Sequence, residues 1–175
     1  MSEAAWLALL AALVGVIAAL LGAWAGVTFS RLEGRRKATL GILESYVSPE
    51  FFAIRAQTSA IRRSWLSGDR SIVHPFVSSG VTASEPVGAN GMAAHQNVSW
   101  LLHFYATLSI YVDSGLVDKK LLHKLFDPHY LWYREFFVEF CGEYQNQVDP
   151  SWPVPMWQIE LPRLDTIFAE LRTQS

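Results

Sequence analysis

Residues 4–29 read AAWLALLAALVGVIAALLGAWAGVTF, a stretch without a charged side chain and without Asn, Gln or Pro. A helix needs about 20 apolar residues to cross the hydrocarbon core of a bilayer, so this stretch is long enough to cross with some tilt. Trp6 and Trp24 lie about 27 Å apart along such a helix, which matches the enrichment of Trp at both interfaces. The sequence therefore predicts a single N-terminal transmembrane helix.

The charges that flank this stretch predict its orientation. Four basic residues follow it against one acid, Glu33, and the only charged side chain before it is Glu3. The basic residues are Arg31, Arg35, Arg36 and Lys37. Basic flanks stay on the cytoplasmic side, so we expect the N-terminus outside and the C-terminal domain in the cytoplasm, at the inner (plasma) membrane. The single cysteine, Cys141, allows no intramolecular disulfide, which suits a reducing compartment.

A cleaved signal peptide is the alternative interpretation of the same stretch. Ala23, Trp24 and Ala25 form a small-x-small pattern of the kind that signal peptidase cleaves. Signal peptides, however, begin with a basic segment and have an apolar core of about 7 to 15 residues. Here the first segment is acidic and the apolar core is longer. The alternative would give a secreted helical protein.

Small residues recur along the stretch at spacings of four and three. They are Ala4, Ala8, Ala11, Gly15, Ala18, Gly22 and Ala25, and Gly22 with Gly26 forms a GxxxG pair. Such a seam lets two helices approach closely in lipid, which predicts self-association as a homodimer. The alternative is that the Ala- and Gly-rich composition produces the seam by chance.

Length and charge divide the chain into an anchor and one domain. Residues 1–37 hold the apolar stretch and its basic flank, and residues 38–175 are long enough for one domain with its own core. The chain carries a net charge of −2; residues 1–37 have four basic and two acidic side chains, or +2, so the remainder carries −4. An acidic domain lacks the basic surface of a nucleic-acid-binding protein, and no motif indicates a cofactor.

Apolar periodicity and capping residues predict an all-α fold, with the anchor followed by a small helical bundle. Ser48 and Asp118 are suited to cap helix N-termini, and Gly68 and Gly115 are suited to end helices. The predicted helices are a stem at 30–47 and then 48–66, 92–114, 118–125, 128–144 and 164–171. Apolar residues on nearly all sides of the 92–114 helix predict that it is central and buried.

Two segments lack a helical pattern. Residues 77–91 are rich in Ser, Thr, Gly, Ala and Pro, which predicts a flexible loop. Before it, Ile72, Val73 and Phe76 are expected to pack as a short turn. Residues 148–156 contain three prolines and are expected to be extended.

A family resemblance rests on residues 100–137, WLLHFYATLSIYVDSGLVDKKLLHKLFDPHYLWYREFF, together with the helix start at residues 48–51, SPEF. With the anchor, these segments resemble an uncharacterised family of small bacterial membrane-anchored proteins with a helical cytosolic domain. The resemblance extends over most of residues 40–145. It implies a helical fold and a bacterial setting, and it implies no activity and no site residues.

No catalytic, cofactor-binding or metal-binding residue is predicted. His123 and His129 flank the Asp127-Pro128 turn, and with Glu135 they could hold a metal ion if the fold brought the three together. Cys141 is expected to be a buried, inert thiol. Three acids, Glu135, Glu139 and Glu143, recur every four residues and predict a solvated stripe, while Trp152 and Trp157 are expected to clamp their segment onto the bundle or to bind a partner.

These features favour a non-enzymatic, membrane-anchored interaction or scaffold module that holds an unknown protein partner. A membrane-tethered metal-dependent enzyme using His123, His129 and Glu135 is the alternative, and a secreted helical protein after signal cleavage is another.

Overall fold

The computed structural model describes residues 3–77 and 91–174, with side chains from residue 20 onward. The described residues form helices and connecting turns with no strand, so the all-α prediction is confirmed. The helices are α1 (Glu3–Tyr46), α2 (Pro49–Leu66), α3 (His74–Val77), α4 (Ala94–Asp113), α5 (Lys119–Gln147) and α6 (Met156–Thr173), with a 3-10 turn at Ser71–Val73. Most of the predicted 77–91 loop lies outside the described residues.

Helix α1 runs without interruption through the apolar stretch and the predicted stem. Its 44 residues correspond to a rod of about 66 Å. The described apolar side chains between Leu20 and Leu32 are exposed; Trp24 and Phe29 each expose 70 % of their surface. Further along α1, Thr39 and Tyr46 are buried, so α1 joins the rest of the fold through its C-terminal turns.

The predicted membrane span falls largely on residues 3–19, whose side chains lie outside the described part of the structure. Over the part that is described, no helix combines the length and the apolar character that crossing a membrane requires. Most of the self-association seam also lies where side chains are not described. Of its members, only Gly22 and Ala25 fall within the residues whose burial is described. Both are exposed, and a Cβ placed on Gly22 would have no neighbour within 4 Å.

The helix boundaries between residues 46 and 118 follow the predicted capping residues. Ser48 Oγ accepts a hydrogen bond from Phe51 N at 3.2 Å, and Pro49 stands in the first turn of α2. Gly68 and Gly115 adopt positive φ angles of 100° and 66°, the left-handed conformation that ends a helix at little cost for glycine. Asp118 caps α5 through Leu121 N at 3.0 Å.

Helix α4 is central, as predicted. It packs mainly against α6 on one side and α2 on another, and Leu101, Tyr105 and Leu108 are almost completely buried. Aromatic side chains from α5 fill the core beside it, among them Phe126, Tyr130, Phe136, Phe137 and Phe140. Helical spacing predicts a core role for the aromatic residues from Tyr130 to Tyr144, and this is confirmed for all of them except Trp132, which is 54 % exposed.

The prediction of two helices at 118–125 and 128–144 is wrong, because α5 continues through Pro128. Leu122, Phe126, Tyr130 and Tyr133 follow one another on the buried face, so burial continues across the proline. Proline removes one backbone hydrogen bond, the one to the carbonyl four residues earlier. That carbonyl belongs to Lys124, and both Lys124 and Pro128 are exposed, where water can satisfy it.

Helix α6 also begins earlier than predicted, at Met156 instead of Leu164, and contains Pro162. Trp157 and Leu161 are buried on the same face as Leu164 and Phe168, at spacings of four, three and four. This burial stabilises the additional turns, and Pro162 lies on the exposed side. The segment before α6 is non-helical, but it is not extended throughout as predicted, because Trp152 N donates to Asp149 O at 2.9 Å in a turn and Met156 already belongs to α6. The turn at Ser71–Val73 buries Val73 as predicted.

Candidate functional site

The three residues proposed as metal ligands do not come together. His123 contacts the ring of Phe168 at 5.5 Å between centroids, whereas His129 lies 5.5 Å from the ring of Tyr46 on another side of α5. Glu135 is exposed. Within the described ranges, no group of three His, Cys, Asp or Glu side chains has the arrangement of a metal site.

His123 instead belongs to a cluster that fastens α6 to α5. Its Nε2 lies 3.4 Å from Asp127 Oδ2, and Arg172 donates to both oxygens of the same carboxylate from Nε and Nη2, at 3.0 to 3.2 Å. The Asp127 side chain is 9 % exposed. A buried carboxylate needs a charged hydrogen-bond partner such as Arg172 to offset its loss of hydration, so the Asp127–Arg172 pair has a structural role.

Cys141 has the environment of an inert thiol. It is partly buried against the core, and this burial raises its pKa from 9.0 to about 12. Because only the thiolate is strongly nucleophilic, the raised pKa disfavours reaction of the thiol near neutral pH. The expected full burial is wrong, since Cys141 is only partly buried.

Of the predicted acidic stripe, Glu135 is exposed to solvent, whereas Glu139 accepts hydrogen bonds from two side chains. The carboxylate of Glu139 accepts hydrogen bonds from Trp65 Nε1 at 2.8 Å and Arg70 Nη2 at 3.0 Å, which closes the stripe over the buried indole. The two tryptophans of the proline-rich segment differ. Trp157 is buried between Phe140 and Tyr144, while Trp152 keeps 39 % of its surface exposed.

A groove of about 680 Å³ runs between α1 and the α4–α5 connection. Its α1 wall includes the small residues Gly34, Ala38 and Gly41 beside Arg31 and Arg35, and its other wall holds Tyr111, Leu116 and Val117. Leu116 is an exposed apolar side chain, with 56 % of its surface accessible. The groove therefore lies next to the exposed apolar part of α1 and carries positive charge there.

A hydrogen bond fixes the α4–α5 connection against α1, and Arg35 lies beside the same connection. The backbone N–H of Asp118 donates to Thr39 Oγ1 at 3.0 Å, and Gly115 lies so close to Arg35 that a Cβ on the glycine would be 3.4 Å from the guanidinium Nη2. Since Thr39 is fully buried and Asp118 caps α5, the start of α5 is held at a defined level along α1.

The fixed connection brings lysines of α5 beside the basic residues of α1. Lys119 and Lys120 line a second cavity of about 380 Å³ together with Leu32 and Arg35. We call six side chains the basic end: Arg31, Arg35, Arg36 and Lys37 of α1 with Lys119 and Lys120 of α5. The first four form a visible cluster in the sequence, whereas the two lysines do not join it there because they lie more than eighty positions further along the chain.

Comparison with protein-family models, with curated proteins and with solved structures finds no match for this chain. The geometry of the chain itself therefore carries the functional argument.

Proposed function

We propose that this protein is a membrane-anchored helical interaction module, held at the cytoplasmic face of the inner membrane by the N-terminal part of α1. The observation that carries the proposal is the exposure of the apolar side chains on α1. Leu20 and Leu21 expose 65 % and 61 % of their surface, and Trp24 and Phe29 expose 70 % each. Large apolar side chains grouped in this way mark a surface that another apolar phase covers.

The sequence of the whole stretch favours a bilayer over a protein partner as that phase. From Ala4 to Phe29 there is no charged residue, whereas a helix that docks on another protein usually keeps a polar face. The basic residues from Arg31 onward then favour the cytoplasm for the domain.

An interaction role, as opposed to catalysis, is supported by the placement of the candidate reactive groups. Asp127 pairs with Arg172 of α6, His123 packs against Phe168 of α6, and burial raises the pKa of Cys141 to about 12. His129, Glu135 and His123 lie on different sides of α5. The metal-dependent enzyme considered from the sequence thus receives no support from these residues. Affinity purification from native membranes would identify the protein partner.

Membrane fractionation of the full chain tests the anchor. We expect the protein in the membrane pellet after extraction with alkaline carbonate, and we expect a variant without residues 4–29 in the supernatant. Recovery of the full chain in the carbonate supernatant would refute the anchor. N-terminal sequencing of the membrane-bound protein should find a start near Met1, and a start near Gly26 would support signal cleavage instead.

We further propose that the anchor self-associates through its small-residue seam. The motivation is the regular spacing of small residues from Ala4 to Ala25, which permits close backbone packing in lipid, where burial of apolar area gives little drive for association. A Cβ added at Gly22 would have no neighbour within 4 Å, so a second helix could approach there. The test of this seam is given among the predictions below.

A further inference from the structure

We propose that the basic end and Leu116 form a second membrane contact, in which the helical domain lies on anionic phospholipid headgroups. This inference rests on the proposed anchor and assigns the domain a preferred surface against the bilayer. It differs from the sequence prediction because it joins residues of α1 with residues of the α4–α5 connection and the start of α5.

The charge of this region is opposite to that of the remainder of the chain. The basic end contributes six positive charges against the two acids nearest in sequence, Glu33 and Asp118, which gives +4. The whole chain carries −2, so everything else carries −6. Glu33 pairs with Lys37 at 2.9 Å, and Asp118 is engaged in capping α5. Arg31, Arg35, Arg36, Lys119 and Lys120 make no ion pair in the described structure.

The position of the basic end along α1 matches the level of lipid headgroups. Leu32 lies three residues beyond Phe29, or about 4.5 Å further along the helix axis, and it shares a cavity with Lys119 and Lys120. The hydrogen bond from Asp118 N to Thr39 Oγ1 holds the start of α5 about 15 Å beyond Phe29 along the axis of α1, and Lys119 and Lys120 line the cavity that reaches back to Leu32 and Arg35. A hydrocarbon core that ends near Phe29 would therefore place Arg31 among the headgroups and the other five cations within about 15 Å of the core, close enough for anionic lipids to attract them.

Leu116 adds an apolar contact to this surface. Leu116 is 56 % exposed and lines the same groove as Arg31. Arg31 lies only two residues beyond Phe29 in α1. An exposed leucine beside basic side chains, here Arg31 and Arg35, suits the boundary between headgroups and acyl chains, where the charges bind phosphate and the leucine enters the apolar layer. Clusters of four to eight basic residues beside a span are the size that anionic lipids attract, and each contributes about fivefold to binding.

Quenching in lipid nanodiscs tests the contact with the full chain. A fluorophore is attached at Ser114→Cys, beside Leu116, in a Cys141→Ala background, and the discs contain a headgroup nitroxide quencher. One set holds phosphatidylcholine alone and the other holds phosphatidylcholine and phosphatidylglycerol in equal parts. We expect at least twofold stronger quenching in the anionic discs. A fluorophore at Ser151→Cys, beyond the far end of α5, is expected to show no such difference.

Charge variants connect the quenching to the proposed residues. Lys119→Gln with Lys120→Gln should reduce quenching in anionic discs, and high salt should bring it to the level of the neutral discs, whereas Arg63→Gln, an exposed cation at the end of α2, should change nothing. Equal quenching in both disc types, or quenching that the lysine variant leaves unchanged, would overturn the inference while leaving the anchor intact. Failure of the protein to enter either disc would instead refute the anchor itself.

Discussion

The hydroxyl oxygens of Tyr46 and Tyr105 lie 3.1 Å apart in the core, where the two side chains expose 1 % and 0 % of their surface. This hydrogen bond joins the last turn of α1 to the central helix α4. The Arg55 guanidinium covers the Tyr46 ring at 4.2 Å from its centroid. The C-terminal end of α1 is thus part of the domain core, so the direction of α1 relative to the domain is fixed.

The Tyr46 and Tyr105 hydroxyls should be energetically coupled. Removing both should therefore lower the free energy of unfolding by less than the sum of the two single removals. Tyr46→Phe leaves the Tyr105 hydroxyl buried without this partner, and we expect a loss of about 1–3 kcal/mol in the free energy of unfolding. The double variant with Tyr105→Phe should lose less than the sum of the single changes, by about 1 kcal/mol. Urea unfolding in detergent micelles measures this, with Tyr111→Phe as the control. Additive losses would contradict the coupling.

Gly115 and Gly142 should respond oppositely to alanine. Gly115 has a φ of 66° and faces Arg35, so Gly115→Ala should destabilise the fold by about 1–2 kcal/mol. Gly142 lies inside α5 with no neighbour within 4 Å of an added Cβ, so Gly142→Ala should stabilise it by about 0.5–1 kcal/mol. Thermal unfolding of both variants decides the point, and a neutral Gly115→Ala would mean that the connection is not held as described.

The Asp127 carboxylate should depend on Arg172. Arg172→Met leaves a carboxylate that is 9 % exposed without its guanidinium, and we expect a loss of about 2–3 kcal/mol, below the value for a fully buried pair because the Arg172 side chain is 35 % exposed. Adding Asp127→Asn should recover part of the loss, since the amide carries no charge. If Arg172→Met unfolds like the wild type, the pair does not fasten α6.

Alkaline pH should destabilise the protein through Cys141. Its pKa rises from 9.0 to about 12 in the folded state, so the unfolded chain loses the thiol proton first. The stability that this group provides is therefore complete below pH 9 and is lost as pH rises toward 12. Between neutral pH and about pH 10 the wild type should lose roughly 1 kcal/mol more than Cys141→Ala does. Identical pH dependence in the two proteins would show that the thiol is not protected by the fold.

The small-residue seam predicts which changes weaken dimerisation of the anchor. Gly15→Leu and Gly22→Leu should each reduce association in a membrane dimerisation assay while leaving insertion intact, because leucine favours the bilayer but blocks close approach of two backbones. Leu9→Ala, off the seam, is the matched control. Equal effects of seam and control variants would mean that the seam is a product of composition.

Most helix ends could be predicted from local chemistry, but the continuation of α5 through Pro128 could not, because it depends on contacts distant in sequence. Ser48, Gly68, Gly115 and Asp118 act on backbone groups within a few residues, and each does what its residue type predicts. Asp127 also has the chemistry of a cap, yet Arg172 binds its carboxylate from 45 positions away. That contact exists only after α6 has packed, so the Asp127-Pro128 pair predicts a helix start that the fold does not use.

The two candidate sites also differ in how far the sequence predicts them. His123, His129 and Glu135 are six residues apart in turn, and once α5 is continuous that spacing places them about 120° apart around its axis, so the continuous helix excludes their convergence. The basic end required the opposite step. Lys119 and Lys120 acquire significance only because the hydrogen bond from Asp118 to Thr39 sets α5 beside α1.

Cysteine labelling at the two ends of the chain tests the anchored topology most directly. Ser2→Cys and Gln174→Cys are each introduced into a Cys141→Ala background and exposed to a membrane-impermeant maleimide in intact spheroplasts. The anchored topology predicts that the cysteine at position 2 is labelled at once and that the cysteine at position 174 is labelled only after the membrane is permeabilised. Labelling at position 174 in intact spheroplasts would contradict it.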